Sequence, residues 1–437
     1  MTQATLLLSP LKAAVCASGG HLDVLIRLQA PDWPADHALT HHPKRLALVV
    51  DRSGSMNGRP LTEALRCVMH IAKHLTPQDQ MSLVTYDDEV EVMLPLGLVT
   101  SLAPIEEAID RIQSGGATDL HSGWLRGATE LEGATPSAIS RVVLLSDGQA
   151  NRGETHVDTI AQQCKAWFER GVSTTTVGLG RGFNEDLMIA MAKAGGGQQY
   201  YGQTAEDLYD SFDQELALLQ AMYWRGIRAK LIPAPGVIVE VLGGHTTPHP
   251  DGSHPMTDLA WGAEAWLAVR LHLSTSAEDS MRDLLAVSVT AIDLQGQTVS
   301  ANGAMLQLPV VSRSAWQSML VDPLVERRLQ ELEFGREAMI LRELAKAGKR
   351  DEAQRQIARL EQQFGEHPWL HAKLAQMRRL AESDMEMMAK EVSYSSARMS
   401  SLAFKSEIRY AADETESEMP AFLRRKESEG RGRRTPR

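Results

Sequence analysis

The sequence predicts an α/β fold: a doubly wound, mostly parallel sheet inserted into a β-sandwich and followed by an α-helical C-terminal region. Three observations carry this reading. Short, wholly apolar runs such as "LALVV" and "VVLL" alternate with amphipathic stretches through the middle of the chain. Strands alternating with helices imply crossover connections and a parallel sheet covered on both faces. Before and after that block, strand-like runs are separated by turn residues with no helical stretch between them, and from Trp316 the apolar period becomes helical.

Residues 1–43 supply the first sandwich strands, "ATLLLSP" and "GGHLDVLIRLQAP". Residues 44–223 form the α/β domain. In order, they read as the strand "RLALVV", the helix "PLTEALRCVMHIAKHL", the strand "QMSLVTYD" and the edge strand "EVEVMLPL". Helices "PIEEAIDRI" and "LHSGWLRGATELE" precede the buried strand "SRVVLLSDG". Helix "HVDTIAQQCKAWFERG", strand "VSTTTVGLG", helix "NEDLMIAMAKAG", strand "QQYY" and helix "AEDLYDSFDQELALLQAMY" complete the domain. Pro60 suits the first turn of its helix. Residues 224–312 return to the sandwich through "GIRAKLIPAPGVIVEVLGG", "AWLAVRLHLS" and "LLAVSVTAIDL".

Residues 313–410 are helical. A long helix begins near Pro323 and stops at Gly348. Asp351 is expected to cap the next helix, with Gln354 completing a capping-box-like pair. "HPWLHAKLAQMRRLAESDMEMMAKEV" reads as one third helix, with Met385, Met387 and Met388 packing a face. Residues 411–437 end "RRKESEGRGRRTPR" and read as a disordered, basic tail.

With 437 residues, 43% of them hydrophobic, the chain can bury more than one core. The net charge of −11 argues against nucleic-acid binding. Cys16, Cys67 and Cys164 are odd in number and far apart, which suggests no disulfide framework and a reducing, cytoplasmic compartment. The first residues carry no basic segment before their apolar run, and Pro10 interrupts it, so a strand is favoured over an export signal. No run approaches the roughly 18 apolar residues of a membrane-spanning helix.

In a parallel α/β sheet, ligands sit outside the carboxyl ends of the strands. Three features should converge there. Asp51-Arg52-Ser53-Gly54-Ser55 follows the strand ending at Val50, with Gly54 expected to turn the loop tightly. Gly115-Gly116-Ala117-Thr118-Asp119 enters the helix at Leu120, and Ser146-Asp147-Gly148 follows "VVLL". Asp51, Ser53, Ser55, Thr118 and Asp147 then present two carboxylates and three hydroxyls. All are hard oxygen donors, which suits Mg²⁺, with Mn²⁺ or Ca²⁺ as alternatives. Two carboxylates roughly neutralise the ion, and an open coordination position makes a socket for an aspartate or glutamate of a partner protein.

DxSxS, the loop threonine and SDG, in this order, resemble the metal-ion-dependent adhesion site of von Willebrand factor A domains. The resemblance covers about residues 44–223. It implies a doubly wound sheet with one antiparallel edge strand. It also implies direct ligation by Ser53 and Ser55, a Thr118 that ligates when a partner is bound, and an Asp51 and Asp147 that act largely through water. Asp119 is read as a helix cap or as a group behind the ligands. "DRSGSMNGRPL", "SDGQANRGET", "TVGLGRGFNEDLM" and "GGGQQYYG" resemble bacterial stand-alone A-domain proteins. That likeness implies an adaptor beside a MoxR-type ATPase or a Ser/Thr kinase or phosphatase module.

The functional expectation is therefore a cytoplasmic, metal-dependent protein–protein interaction module without enzymatic activity. An exported or surface adhesin using the same site is the alternative, and a metal-dependent phosphatase a lesser one. A phosphatase of the haloacid-dehalogenase type would want a second aspartate at the place of Ser53. A phosphate-binding GxxxxGK[ST] loop is missing, since "GGATDLHSG" has no lysine there. His37, His41 and His42 in "PADHALTHHPK" read as a solvated loop rather than a second metal site.

Overall fold

The computed structural model describes residues 3–31, 43–133, 138–147, 150–180, 183–243, 248–365 and 367–400. His37, His41, His42, Gly148 and the basic tail lie outside the described residues. The chain divides into two compact units, one within residues 39–221 and the other before and after it.

The chain opens with strands β1 (Thr5–Pro10), β2 (Val15–Cys16) and β3 (Gly20–Gln29). It then enters the α/β unit. In chain order this comprises β4 (Lys44–Asp51), α1 (Arg59–Lys73), β5 (Gln80–Tyr86), β6 (Val90–Leu98), α2 (Ala103–Asp110) and α3 (Leu120–Glu130). There follow β7 (Ile139–Ser146), α4 (Val157–Glu169), β8 (Val172–Leu179), α5 (Glu185–Ala194), β9 (Gly196–Gly202) and α6 (Glu206–Gln220). The strand order is β6-β5-β4-β7-β8-β9. Every pairing is parallel except β5 with β6, so "EVEVMLPL" is the antiparallel edge strand that was expected.

Every residue of β4 but Arg45 is buried, as are all of β7 and β8, because helices cover both faces of the sheet. On one face Ala47, Val49, Val84 and Val142 pack with Trp124 of α3, Cys164 of α4 and Leu187 of α5. On the other, Leu46 and Val143 share an apolar space with Ile71 of α1 and with Phe212, Leu216 and Leu219 of α6. α3 approaches its face at two glycines. A β-carbon on Gly123 would lie 2.4 Å from the Tyr86 ring, and one on Gly127 2.3 Å from Val49. α6 ends at Gln220, short of the predicted Tyr223. The reason is tertiary: Met222 already pairs with another strand, and Met222, Trp224 and Ile227 are buried along it.

That strand, β10 (Met222–Pro233), returns the chain to the other unit. β11 (Val237–Val241), β12 (His254–Pro255), β13 (Leu259–Ala260), β14 (Glu264–Leu273), β15 (Met281–Ile292) and β16 (Thr298–Val311) follow. β1-β3-β14-β11 form one antiparallel sheet. β12-β10-β15-β16-β2 form a second, mixed sheet, antiparallel except for the parallel β16–β2 pair, with β13 also paired to β10. Gln3 Nε2 donates to Ser300 O at 2.7 Å, tying the lead-in of β1 to β16. The sequence reading overlooked β16. Its "TVSANGAMLQLPVV" breaks alternation with an Asn-Gly pair, and register shifts accompany the break.

Helices α7 (Arg313–Gln317), α8 (Pro323–Lys346), α9 (Arg350–Phe364), α10 (Pro368–Ser383) and α11 (Met385–Ser400) end the described chain. Asp322 caps α8, accepting from Leu324 and Val325 N–H at 2.9 and 3.0 Å. Val325 of α8 packs on Leu25 and Trp266 of the first sheet. Two expectations are corrected. Lys349, not Asp351, is the cap residue of α9, and Asp351 lies in its first turn, where the helix dipole favours a negative charge. The predicted third helix is two. The chain turns extended at Asp384 (φ −150°, ψ 93°), whose carboxylate accepts from Met387 N–H at 3.0 Å and starts α11. Of the three methionines expected to pack a face, Met387 and Met388 are buried on that helix and Met385 is half-buried.

Candidate metal centre

β4 and β7 are neighbours, and the sheet grows outward from them in opposite directions, to β5 on one side and β8 on the other. The crevice at their carboxyl ends is the topological switch point, where ligands of open α/β sheets bind. Val50 stands level with Leu145, so Asp51 and Ser146 end their strands side by side. Ser146 Oγ donates to Asp51 Oδ2 at 2.6 Å, and Ser53 N–H donates to Asp51 Oδ1 at 2.8 Å. Asp51 is wholly buried. Burial pushes its carboxyl above the usual range, against the pull of the Ser146 and Ser53 hydrogen bonds, and the charge of Asp147 adds to the rise.

Asp147 is 8% exposed, and its Oδ1 has no hydrogen-bond partner among the described residues. A buried, unpartnered carboxylate oxygen is uncommon in a folded protein. The two serines turn through a short 3₁₀ segment, Gly54–Met56, pinned by the buried Met56. Ser53 Oγ and Ser55 Oγ lie 3.2 Å apart, Ser53 buried and Ser55 exposed. Gly54 is not in a left-handed conformation. Its missing side chain matters by close approach: a β-carbon there would sit 3.3 Å from Gly115 O.

That approach joins the second loop to the first. Gly54 N–H donates to Gly116 O at 3.0 Å, and Gly115 N–H donates to Arg52 O at 2.8 Å. Thr118, 2% exposed, is held from the third loop. Its N–H donates to Asn151 Oδ1 at 2.9 Å, and its carbonyl accepts from Asn151 and Arg152 N–H, each at 3.2 Å. Asp119 caps α3, accepting from Ser122 N–H at 3.0 Å and Ser122 Oγ at 2.9 Å, which is one of the two roles read for it.

Hydrogen bonds thus stitch together the three loops that carry Asp51, Ser53, Ser55, Thr118 and Asp147. Sequence reasoning gave no role to Ser146, Asn151 or Tyr86. Ser146 was legible inside the quoted SDG, but a serine beside an aspartate does not announce which strand it bonds. Tyr86 is fully buried beside Asp51. Burial, with the neighbouring Asp51 charge, raises its phenol well above the ordinary range, so it stays neutral. The donor chemistry fits a hard divalent cation: oxygens only, a carboxylate oxygen with no partner among the described residues, and a second carboxylate already oriented by its neighbours.

Known proteins resemble this chain over part or most of its length. The family model for the von Willebrand factor type A domain matches residues 46–214. The uncharacterized protein sll0103 of Synechocystis is 27% identical over 176 residues, 39% of this chain and 40% of that protein. Inter-alpha-trypsin inhibitor heavy chain H4 of Bos taurus is 27% identical over 214 residues, 46% of this chain and 22% of that protein. The chain therefore spans two fifths or less of the length of these curated relatives. A solved von Willebrand factor type A structure from Catenulispora acidiphila aligns with a TM-score of 0.71 at 15% identity. It covers 90% of this chain and 96% of its own, a likeness of fold alone. Domains of this type generally bind a divalent metal and mediate metal-dependent contacts between proteins. Fold, strand-tip geometry and family match agree that residues 46–214 are a von Willebrand factor type A domain.

Proposed function

We propose that the strand tips are an intact metal-ion-dependent adhesion site, and that the chain is a non-enzymatic adaptor that binds an acidic side chain of a partner protein. The observation that carries this reading is the buried Asp147 Oδ1, unpartnered among the described residues, beside the buried Asp51 and the converging Ser53 and Ser55 hydroxyls. Asp51, Ser53, Ser55, Thr118 and Asp147 would hold the ion, Mg²⁺ by preference for an all-oxygen set. When bound, the ion supplies a positive centre that attracts a carboxylate. The chain's own residues do the rest. Ser146 and the Ser53 amide fix Asp51, Asn151 fixes the Thr118 loop, and the Arg52–Gly115 and Gly54–Gly116 bonds keep the loops in register.

By the same resemblance, the partner is a MoxR-type ATPase or a kinase or phosphatase module, met in the cytoplasm. Among the described residues, no helix is long and apolar enough to cross a membrane. The test is affinity purification of the tagged chain from cells in Mg²⁺, in EDTA and as Asp51→Ala. The expected result is a partner recovered only by the unaltered chain in Mg²⁺. A partner set that survives both EDTA and the substitution would sink the proposal.

A further inference from the structure

Away from the strand tips, α1 and α6 share an edge laced with charge. Arg66 pairs with Glu63 and Glu206 at one end of it. One turn further along α1 stands His70, and four residues on its cap residue His74. Residues four apart lie on one face of a helix. Both imidazoles turn toward Asp213 of α6. His70 Nε2 is 2.6 Å from Asp213 Oδ1 and His74 Nε2 is 3.8 Å from it, and all three ligand atoms lie within 4.8 Å of one another.

We propose that His70, His74 and Asp213 form a second metal site, for a transition cation of the Zn²⁺ class. It is separate from the strand-tip site and rests on none of its residues. Two imidazoles and one carboxylate suit Zn²⁺ and disfavour Mg²⁺, which wants oxygens. A tetrahedral zinc with ligands near 2.0–2.2 Å spaces its donors about 3.3 Å apart. The observed 2.6 and 3.8 Å straddle that spacing, so a small swing of the Asp213 carboxylate evens them.

Both rings are also held as ligands need to be. His74 Nδ1 lies 2.8 Å from His70 O, so it donates there and leaves the Nε2 lone pair facing Asp213. Such a bond from the non-ligating nitrogen to a carbonyl is the usual support of a metal-bound histidine. The His70 ring is stacked on Tyr209 at 4.1 Å and 7°. His74 and Asp213 are about half exposed, so an ion can enter from solvent, with water or a partner's side chain completing the tetrahedron.

The alternative is a plain His70–Asp213 hydrogen bond that has no use for His74. The discriminating experiment uses the untagged full chain, stripped with chelator, in an Asp51→Ala background to silence the strand tips. Titration with Zn²⁺ is expected to load one ion per chain, unaffected by excess Mg²⁺. His74→Gln and Asp213→Asn should each weaken binding at least tenfold. Co²⁺ should give a visible tetrahedral absorption band that both variants lose, and metal-free melting of His74→Gln should match the parent. No zinc uptake by the parent, or uptake by His74→Gln equal to the parent's, overturns the site.

Discussion

Individual residues at the strand tips are arranged against local stability. Asp51 and Asp147 place two carboxylates in a buried crevice, one with an oxygen that has no partner among the described residues. Asp147→Asn is therefore expected to leave the metal-free protein as stable as the parent or slightly more so, while abolishing stabilisation by Mg²⁺. At Mg²⁺ a hundredfold above its dissociation constant, that stabilisation is about 2.7 kcal/mol for a single folded-state site. Thermal melts with and without Mg²⁺ read both arms. Gly123 is a different kind of residue constraint. An added methyl would press on the fully buried Tyr86 ring, which cannot withdraw. Gly123→Ala should destabilise by about 2 kcal/mol, as overpacking does. Urea denaturation measures it, and an unchanged midpoint would refute the close packing of α3.

At the scale of elements, β4 and β5 are joined at their starts by a buried ion pair. Lys44 Nζ lies 3.2 Å from Asp79 Oδ2, with both side chains almost wholly buried. Asp79 also accepts from Lys44 N–H and Thr76 N–H, each at 2.8 Å. Burial alone would raise its carboxyl. The two backbone donors and the Lys44 ammonium outweigh burial and keep it below the ordinary range. The contribution is thus complete above the unfolded-state value and lost as pH falls through the lower folded-state value. Asp79→Asn leaves Lys44 buried and unpaired, so it should cost about 3 kcal/mol at neutral pH. The difference from the parent should shrink on acidification below about pH 4. Denaturant midpoints at neutral and acid pH test both statements. On the helical side, Asp322→Ala removes both bonds to the α8 amides and is expected to cost about 1 kcal/mol by the same measurement.

For the whole molecule, the informative feature is where the α/β unit enters and leaves. Ala30 N–H donates to Ala263 O, and Gly262 N–H to Pro31 O, while Met222 pairs with Ala260. Chain exit and return are therefore fastened to the same β13 turn. Replacing residues 43–220 by a short Gly/Ser linker should leave the remaining strands and helices able to fold, since none of their pairings is broken. A soluble product with a cooperative melt and strand-rich circular dichroism is expected. Aggregation without such a melt would show that the inserted unit is needed for their folding.

Much of the fold was legible because it follows local rules. "LALVV" and "VVLL" are apolar on every residue because both sheet faces are covered, and each is followed by an aspartate or Ser-Asp pair at the carboxyl edge of the sheet. Pro323 and Gly348 bracket α8 by their own backbone preferences. What failed did so where local rules compete. Asp351 and Asp384 are alike by residue type, yet Lys349 takes the cap position of α9 while Asp384 starts α11. By itself the sequence determined the alternation of strands and helices and the five oxygen donors that end in three loops. Only the tertiary structure decided that Ser146 braces Asp51, that Gly54 touches the Gly115 loop, and that Asp213 comes to His70 and His74. Periodicity and chain-end chemistry are short-range properties, whereas these contacts join residues far apart in sequence and exist only once the sheet has set its strand order.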